Sequence, residues 1–293
     1  MLTPKPFKIL LASYIFFFAA QAHAHPFLYQ ASGDTTFYLF GTIHVPDPRI
    51  ATLPNEVVQA MEESTAFYGE LDLGEDNLMQ IKESMMIPGN KTIYDLISID
   101  TQNKVNNYLA SINPDLNLDY FANRKIWVLA VTISLLEQQL RYPQLSPIDV
   151  ALFNKAVELN KKAGGLETIE EQAGPFDALS NDEQIQLLED TIDYLTEQDD
   201  DFIGSSVQDY IDGDLDGLVD ELTSYMQGEV FYDDLLFQIV DQRNVHMADR
   251  IANMVSQNPD DKYFFAVGVG HLWGDASIIS LLEERGYSFE LVE

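Results

Sequence analysis

No cysteine occurs in the 293 residues. That excludes disulfides, thiolate metal sites and a lipidated N-terminal Cys. Basic residues are scarce, with 16 Lys and Arg against 48 Asp and Glu and a formal net charge of −32. Nucleic acid and anionic lipid carry the same sign and are disfavoured as partners. Several catalytic signatures are also missing: HExxH, the Gly-x-Ser-x-Gly elbow, the P-loop, and GxGxxG after a strand. Gly268-x-Gly270 lacks the third glycine. No apolar run reaches the roughly 20 residues that a bilayer span needs. The densest, Ile126–Leu140, holds Thr132 and Ser134 and is followed by Arg141; it reads as a buried core helix.

What is present begins with residues 1–24. Lys5 and Lys8 precede an apolar run from Ile9 to Ala20, and the small-residue sites Ala20-Gln21-Ala22 and Ala22-His23-Ala24 follow. Basic, apolar and small-residue regions in that order are those of a cleavable signal peptide. A retained anchor is the alternative, and the run is short for one. The expected product is periplasmic or secreted, starts at His23 or His25 and has no stable membrane anchor. Cleavage after Ala24 would expose His25, which leaves an N-terminal metal brace open. Loss of Lys5 and Lys8 leaves 14 of the 16 basic residues against all 48 acidic ones. With 46% hydrophobic residues the remaining chain has enough for an ample core.

Thr36–Phe40 and Tyr263–Val267 are short aromatic and aliphatic runs that end at glycine, and they read as buried strands. Asn55–Glu63 reads as a helix and Thr65–Leu73 as a strand. Ile148–Lys161 and Asp182–Glu197 read as amphipathic helices, and Ala163-Gly164-Gly165 and Ala173-Gly174-Pro175 as polar punctuation. Asp212–Gly217 (DGDLDG) alternates acids, but the twelfth position of an EF-hand loop would be Thr223, so it reads as a turn. No long linker divides the chain. The expected fold is a single α/β domain over residues 25–293. Its central mixed sheet is built from both ends of the chain, and a largely helical insertion occupies about 75–230.

An internal echo carries the chemistry. Phe37-Tyr38-Leu39-Phe40-Gly41-Thr42-Ile43-His44 is matched by Phe264-Phe265-Ala266-Val267-Gly268-Val269-Gly270-His271. Each copy is an apolar strand, then Gly-x-x-His, a turn, a helix and another strand. In open α/β sheets, ligands bind beyond the carboxyl ends of strands, so His44 and His271 are expected at one shared site, within about 10 Å of each other and of Glu70. Glu70 lies in an apolar run, where a carboxylate needs a cation or a partner. Arg243 is the natural salt-bridge candidate. In a helix read over Val230–Val255, Leu236, Val240, Met247, Ile251 and Met254 form a stripe at 100° per residue. Arg243 and Asn244 border that stripe, and His246 falls away from it as a surface residue.

These pieces resemble the TraB/GumN family, which includes the Tiki proteins and is related to erythromycin-esterase-like and haem-binding iron-uptake proteins. The pieces are FGTIHV at 40–45, GELDL at 69–73, Asp149, GLET with Gln172 at 165–172, Gln242-Arg243-Asn244, and the closing VGVGHLWG with RGYSFELV. Lys125-Ile126-Trp127 departs from the Lys-Pro-Trp-like entry to the core helix. The resemblance places the family's two Gly-x-x-His motifs on Gly41/His44 and Gly268/His271, its strand glutamate on Glu70, and its Arg-Asn pair on Arg243 and Asn244. It implies a metal-dependent peptidase with His44, Glu70 and His271 as ligands or catalytic groups.

Three functions stay open. Two imidazoles and a carboxylate suit a divalent metal (Zn, Mn or Co) in a hydrolase acting on a peptide or small-molecule substrate in the cell envelope. Arg243 or Asn244 would then stabilise the developing oxyanion. A metal-free hydrolase would use one His as general base and Glu70 to orient it. A non-enzymatic protein would bind a metal, haem or an envelope partner. Substrate, metal identity and oligomeric state are not legible.

Overall fold

Phe37, Leu39 and Phe40 in the first apolar run, and every residue from Tyr263 to Val267 in the second, are buried. Such continuous burial is expected of central parallel strands covered on both faces. The computed structural model describes residues 27–33, 35–197, 202–223, 226 and 230–292. The expected signal peptide over 1–24 and His25 lie outside the described residues. Among these residues six strands form one mixed sheet: β1 (Leu28–Ser32), β2 (Thr36–Thr42), β3 (Ala66–Gly69), β4 (Lys162–Gly165), β5 (Tyr263–Gly268) and β6 (Ser288–Leu291). Their order is β4-β3-β5-β2-β1-β6. The pairs β3–β4, β3–β5 and β2–β5 are parallel, whereas β1 runs antiparallel to both β2 and β6. The sheet therefore comes from both ends of the chain, with a mostly helical middle, as the sequence implies.

Both echo units are present. β2 leads through the helix Asn55–Glu63 to β3, and β5 leads through the helix Ile278–Glu283 to β6. Four parallel strands, β4, β3, β5 and β2, consequently end at one edge of the sheet. A core of aromatic and aliphatic side chains surrounds the sheet, including Phe37, Phe40, Phe67, Phe264 and Phe265. A second cluster lies within the helical region, around Ile93, Leu109, Leu129, Leu188 and Tyr232. The helix Ile126–Arg141 is buried from Ile126 to Ala130. No helix among the described residues is long and apolar enough to cross a membrane.

Several boundaries differ from the sequence reading. Thr65–Leu73 is strand only over Ala66–Gly69, which leaves Glu70 just past the strand end. Ala163-Gly164-Gly165 is not punctuation but most of β4, a strand made by its pairing with β3 rather than by propensity. The preceding helix stops at Glu158, where Asn160 takes a positive φ of 54°. Ala173-Gly174-Pro175 lies inside the helix Ile169–Ala178. That helix starts from a reciprocal cap, in which Glu171 N–H donates to Thr168 Oγ1 and Thr168 N–H donates to a Glu171 carboxylate oxygen.

The helix read over 230–255 is Val230–Leu236, a π segment Phe237–Gln242, and Arg243–Gln257. A π turn adds one residue and rotates everything beyond it by about 100° relative to a regular helix. The stripe therefore fails at Leu236, just ahead of the insertion, and at Val240 within it, both only half-buried, while Tyr232 and Leu235 face inward instead. After it, Asn244, Met247, Ala248, Ile251 and Val255 form the buried face. Of DGDLDG only Gly213 and Asp214 form a turn, between the helices Phe202–Asp212 and Leu215–Thr223, which take in the rest.

Candidate functional site

Each of the four strand ends contributes one polar side chain. His44 follows β2, Glu70 follows β3, Glu167 follows β4 and His271 follows β5. The loop carrying His44 is pinned by Asp47, which is buried and accepts hydrogen bonds from Arg49 and from Gln138 of the helix Ile126–Arg141. His271 lies in a single 3-10 turn, Val269–Leu272. Gly41 makes room for that turn, because a Cβ there would stand 2.9 Å from Leu272 and 3.0 Å from Val269. Each Gly-x-x-His motif thus packs against the other.

Gly268 marks the point of convergence. A Cβ on it would sit 3.0 Å from Glu70 Oε1, 3.6 Å from His271 Cδ2 and 3.7 Å from His44 Nε2. The expected meeting of His44, Glu70 and His271 within 10 Å is what the geometry contains. Glu70 Oε1 accepts from the Gly268 backbone N–H at 2.6 Å and lies 3.6 Å from His271 Nε2. Its other oxygen accepts from Arg243 Nη2 at 2.6 Å and Gln172 Nε2 at 3.0 Å. Burial alone would raise the Glu70 pKa, but the positive charges around it and the Gly268 N–H hold the carboxyl far below its ordinary range.

Arg243 binds two carboxylates. Its Nε and Nη2 donate to Glu167 at 2.6–3.0 Å while Nη2 also reaches Glu70, and Nη1 donates to the Ile239 carbonyl in the π segment at 3.0 Å. The expected Glu70–Arg243 ion pair is present, and Glu167, whose side chain is fully buried, is an unforeseen third member. The same guanidinium lowers the pKa of both carboxylates, but their net shifts are opposite. Glu70 also holds the Gly268 N–H and keeps its charge, whereas burial pushes the Glu167 carboxyl up despite Arg243.

The histidines differ. His271 is 6% exposed, and burial lowers its pKa to about 4 against the opposing pull of Glu70. Asn244 Nδ2 donates to the Ala276 carbonyl at 2.9 Å, so its Oδ1 is the atom 2.6 Å from His271 Nδ1. That amide orientation puts the proton of neutral His271 on Nδ1 and the lone pair on Nε2, toward Glu70. Asn244 is fully buried, with both amide ends committed. It is therefore a positioning residue rather than the oxyanion donor considered for it. His44 is the open member, with a side chain 53% exposed and Nδ1 3.1 Å from Asp149 Oδ1. Desolvation in the cleft opposes its charge, but Asp149 and then Glu70 lift its pKa to about 9. Asp149 Oδ1 is buried and receives no well-directed hydrogen bond.

A cleft of about 510 Å³ opens over this edge, with His44, Glu70, Asp149 and Arg243 among its lining. Among the described residues, no group of three or more His, Asp and Glu side chains stands ready-made at metal-ligand spacing. His246 is exposed on the helix Arg243–Gln257 and belongs to no part of the site.

A model of the TraB/PrgY/gumN family matches residues 27–291. Metalloprotease TIKI2 of Xenopus tropicalis is 26% identical over 323 residues, covering 92% of this chain and 60% of that protein. Metalloprotease TIKI1 of Homo sapiens is 25% identical over 331 residues, covering 92% and 62%. The metalloprotease TIKI homolog of Nematostella vectensis is 24% identical over 334 residues, covering 93% and 68%. The chain thus spans about 60% of the length of the first of these relatives. No solved structure matches it.

Proposed function

Because this chain belongs to the TraB/PrgY/gumN family, we propose that it is an exported, metal-dependent hydrolase of peptide-like bonds, with His44, Glu70 and His271 holding a divalent Zn, Mn or Co ion. The observation that carries this reading is the convergence of His44 Nε2, Glu70 Oε1 and His271 beside Gly268. Its donor chemistry fits a cation. Neutral His271 directs an Nε2 lone pair at Glu70 Oε1, 3.6 Å away, and a divalent ion would sit between these acceptors and displace the proton that His44 carries beside Asp149. His271 is backed at Nδ1 by Asn244, as metal-binding histidines usually are, and His44 Nδ1 faces Asp149 Oδ1 at 3.1 Å. His44, half-exposed, is the side chain free to close the set. The names of the TIKI relatives point the same way.

A divalent ion there would supply Lewis acidity and lower the pKa of water at the site. The chain's own residues supply the rest. Asn244 keeps the His271 proton on Nδ1, and the histidines, Arg243 and the Gly268 N–H together hold Glu70 ionised. Arg243 lines the cleft as well, but its donors are committed to Glu70, Glu167 and the Ile239 carbonyl, so like Asn244 it holds the site in place. The test uses protein purified without a His tag or chelator. Elemental analysis is expected to give about one divalent ion per chain, with peptide turnover lost on chelation and restored by Zn, Mn or Co. Turnover that survives complete metal removal would overturn the reading. It would favour a metal-free His/Glu hydrolase, the second reading, which has in its favour the lack of a ready-made three-ligand group among the described residues.

Action in the cell envelope is part of the same proposal. It rests on Lys5, Lys8, the apolar run Ile9–Ala20 and the two Ala-x-Ala sites. Mass spectrometry of the envelope fraction is expected to find a chain beginning at His23 or His25. Retention of Met1 there would refute export by cleavage.

A further inference from the structure

We propose that the helical insertion builds an apolar subsite beside the candidate metal site, so that the substrate is a peptide with a large apolar side chain next to the bond cleaved. The proposal rests on the hydrolase reading and names its substrate class. The cleft of about 510 Å³ is within the usual size of small-ligand cavities, roughly 300–1,000 Å³. Its charged groups are segregated. The charged or titratable residues among its lining are His44, Glu70, Asp149 and Arg243, all belonging to the site just described.

The rest of the wall comes mainly from helix faces. On the helix Ile126–Arg141, Trp127, Val131 and Leu135 recur every four residues and line the cleft, with Gln139 closing the same row, so the face it turns to the cleft is apolar over three of its four positions. The helix Ile169–Ala178 contributes Phe176, whose ring stacks on Trp127 at 5.0 Å between centroids. Ile81 and Met85 contribute from the helix Glu75–Ser84 and the residue after it. Val131 shows what the stripe is for. It is 44% exposed, whereas its neighbour Ala130 is 2% exposed. An aliphatic side chain therefore faces open space between Trp127 and Leu135 on the cleft side of the helix.

Charge sharpens the choice of occupant. A chain with net charge −32 attracts cationic peptides at long range, yet this wall offers no carboxylate to receive a Lys or Arg side chain. A charged side chain would lose its hydration there without compensation, while a Leu, Met or Phe side chain gains from leaving water.

The test reads binding separately from cleavage. The chain has two tryptophans, Trp127 and Trp273. In a Trp273→Phe background, emission from Trp127 reports occupancy of the subsite. Blocked tetrapeptides with Leu, Asp or Lys at one central position are titrated into the chelated protein, where no turnover occurs. The Leu peptide is expected to bind about tenfold or more tightly than the other two, from burial of one aliphatic side chain. Val131→Asp should abolish that preference, and Val131→Ala should weaken it, with melting temperature and metal content unchanged. Equal affinities, no binding, or a preference that survives Val131→Asp would overturn the subsite. Preferential binding by a metal-loaded protein that cleaves none of the peptides would leave the subsite standing and remove the hydrolase reading instead.

Discussion

Arg243→Met is expected to be the most destabilising single substitution at the site, lowering the free energy of unfolding by about 3–5 kcal/mol, the range for breaking a buried ion pair from one side. Arg243 is the guanidinium shared by Glu70 and Glu167, whose side chains are 10% and 0% exposed. Met keeps much of the volume but leaves two carboxylates buried near each other without it. Such a pair takes up a proton, so its folded-state pKa rises above the unfolded value of about 4.3. A raised carboxyl pKa stabilises below the unfolded pKa and costs stability as pH rises through the folded one. The deficit of the variant should thus be full at pH 7 and shrink toward pH 4. Denaturant melts of both proteins at pH 4, 5, 6 and 7 check this; a deficit independent of pH would refute the shared-cation account.

Glu70→Gln should have the largest effect on activity. It preserves shape and removes charge, and a Gln side chain must turn an N–H₂ group toward either the Gly268 N–H or Arg243, both donors. Peptide turnover is expected to fall by about 10³-fold or more, at the upper end of what one acid–base or charge-stabilising group supplies. Metal affinity should fall with it. The loss of stability should be smaller than for Arg243→Met, on the order of 1–3 kcal/mol, because Arg243 keeps its bonds to Glu167. A paired melt and metal titration of the variant decides the role. Undiminished metal affinity with a large drop in stability would make Glu70 a structural ion-pair residue only.

The two Gly-x-x-His motifs were legible because each follows an apolar run that only a buried strand explains, and their symmetry implied a common edge. Glu70 was legible because a carboxylate in an apolar stretch requires a partner, and Arg243 because it borders a buried stripe. Glu167 was not singled out, since β4 is a short Lys-Ala-Gly-Gly strand with weak propensity. The available signal was positional: an acid soon after a strand-ending glycine, as in Gly69-Glu70 and Gly165-Leu166-Glu167. Asp149 was noted only as part of the family resemblance. It sits in the first turn of the helix Ile148–Glu158, where an acid is ordinary. The phase error in the helix around 230–255 came from assuming a uniform 100° per residue across what is a π turn.

The pairing of strands also governs how the molecule comes into being. β2 is sandwiched between β1 and β5, with Phe40 opposite both Leu28 and Ala266. Its first neighbour is a short hairpin away, but its second is separated by the whole helical region. Closing so long a loop has an entropic cost that precedes any reward from the contact, which slows folding. The helical cluster, whose contacts are more local, is free to organise first. His44 and His271 meet only when β5 docks beside β2, so assembly of the site is tied to that long-range pairing.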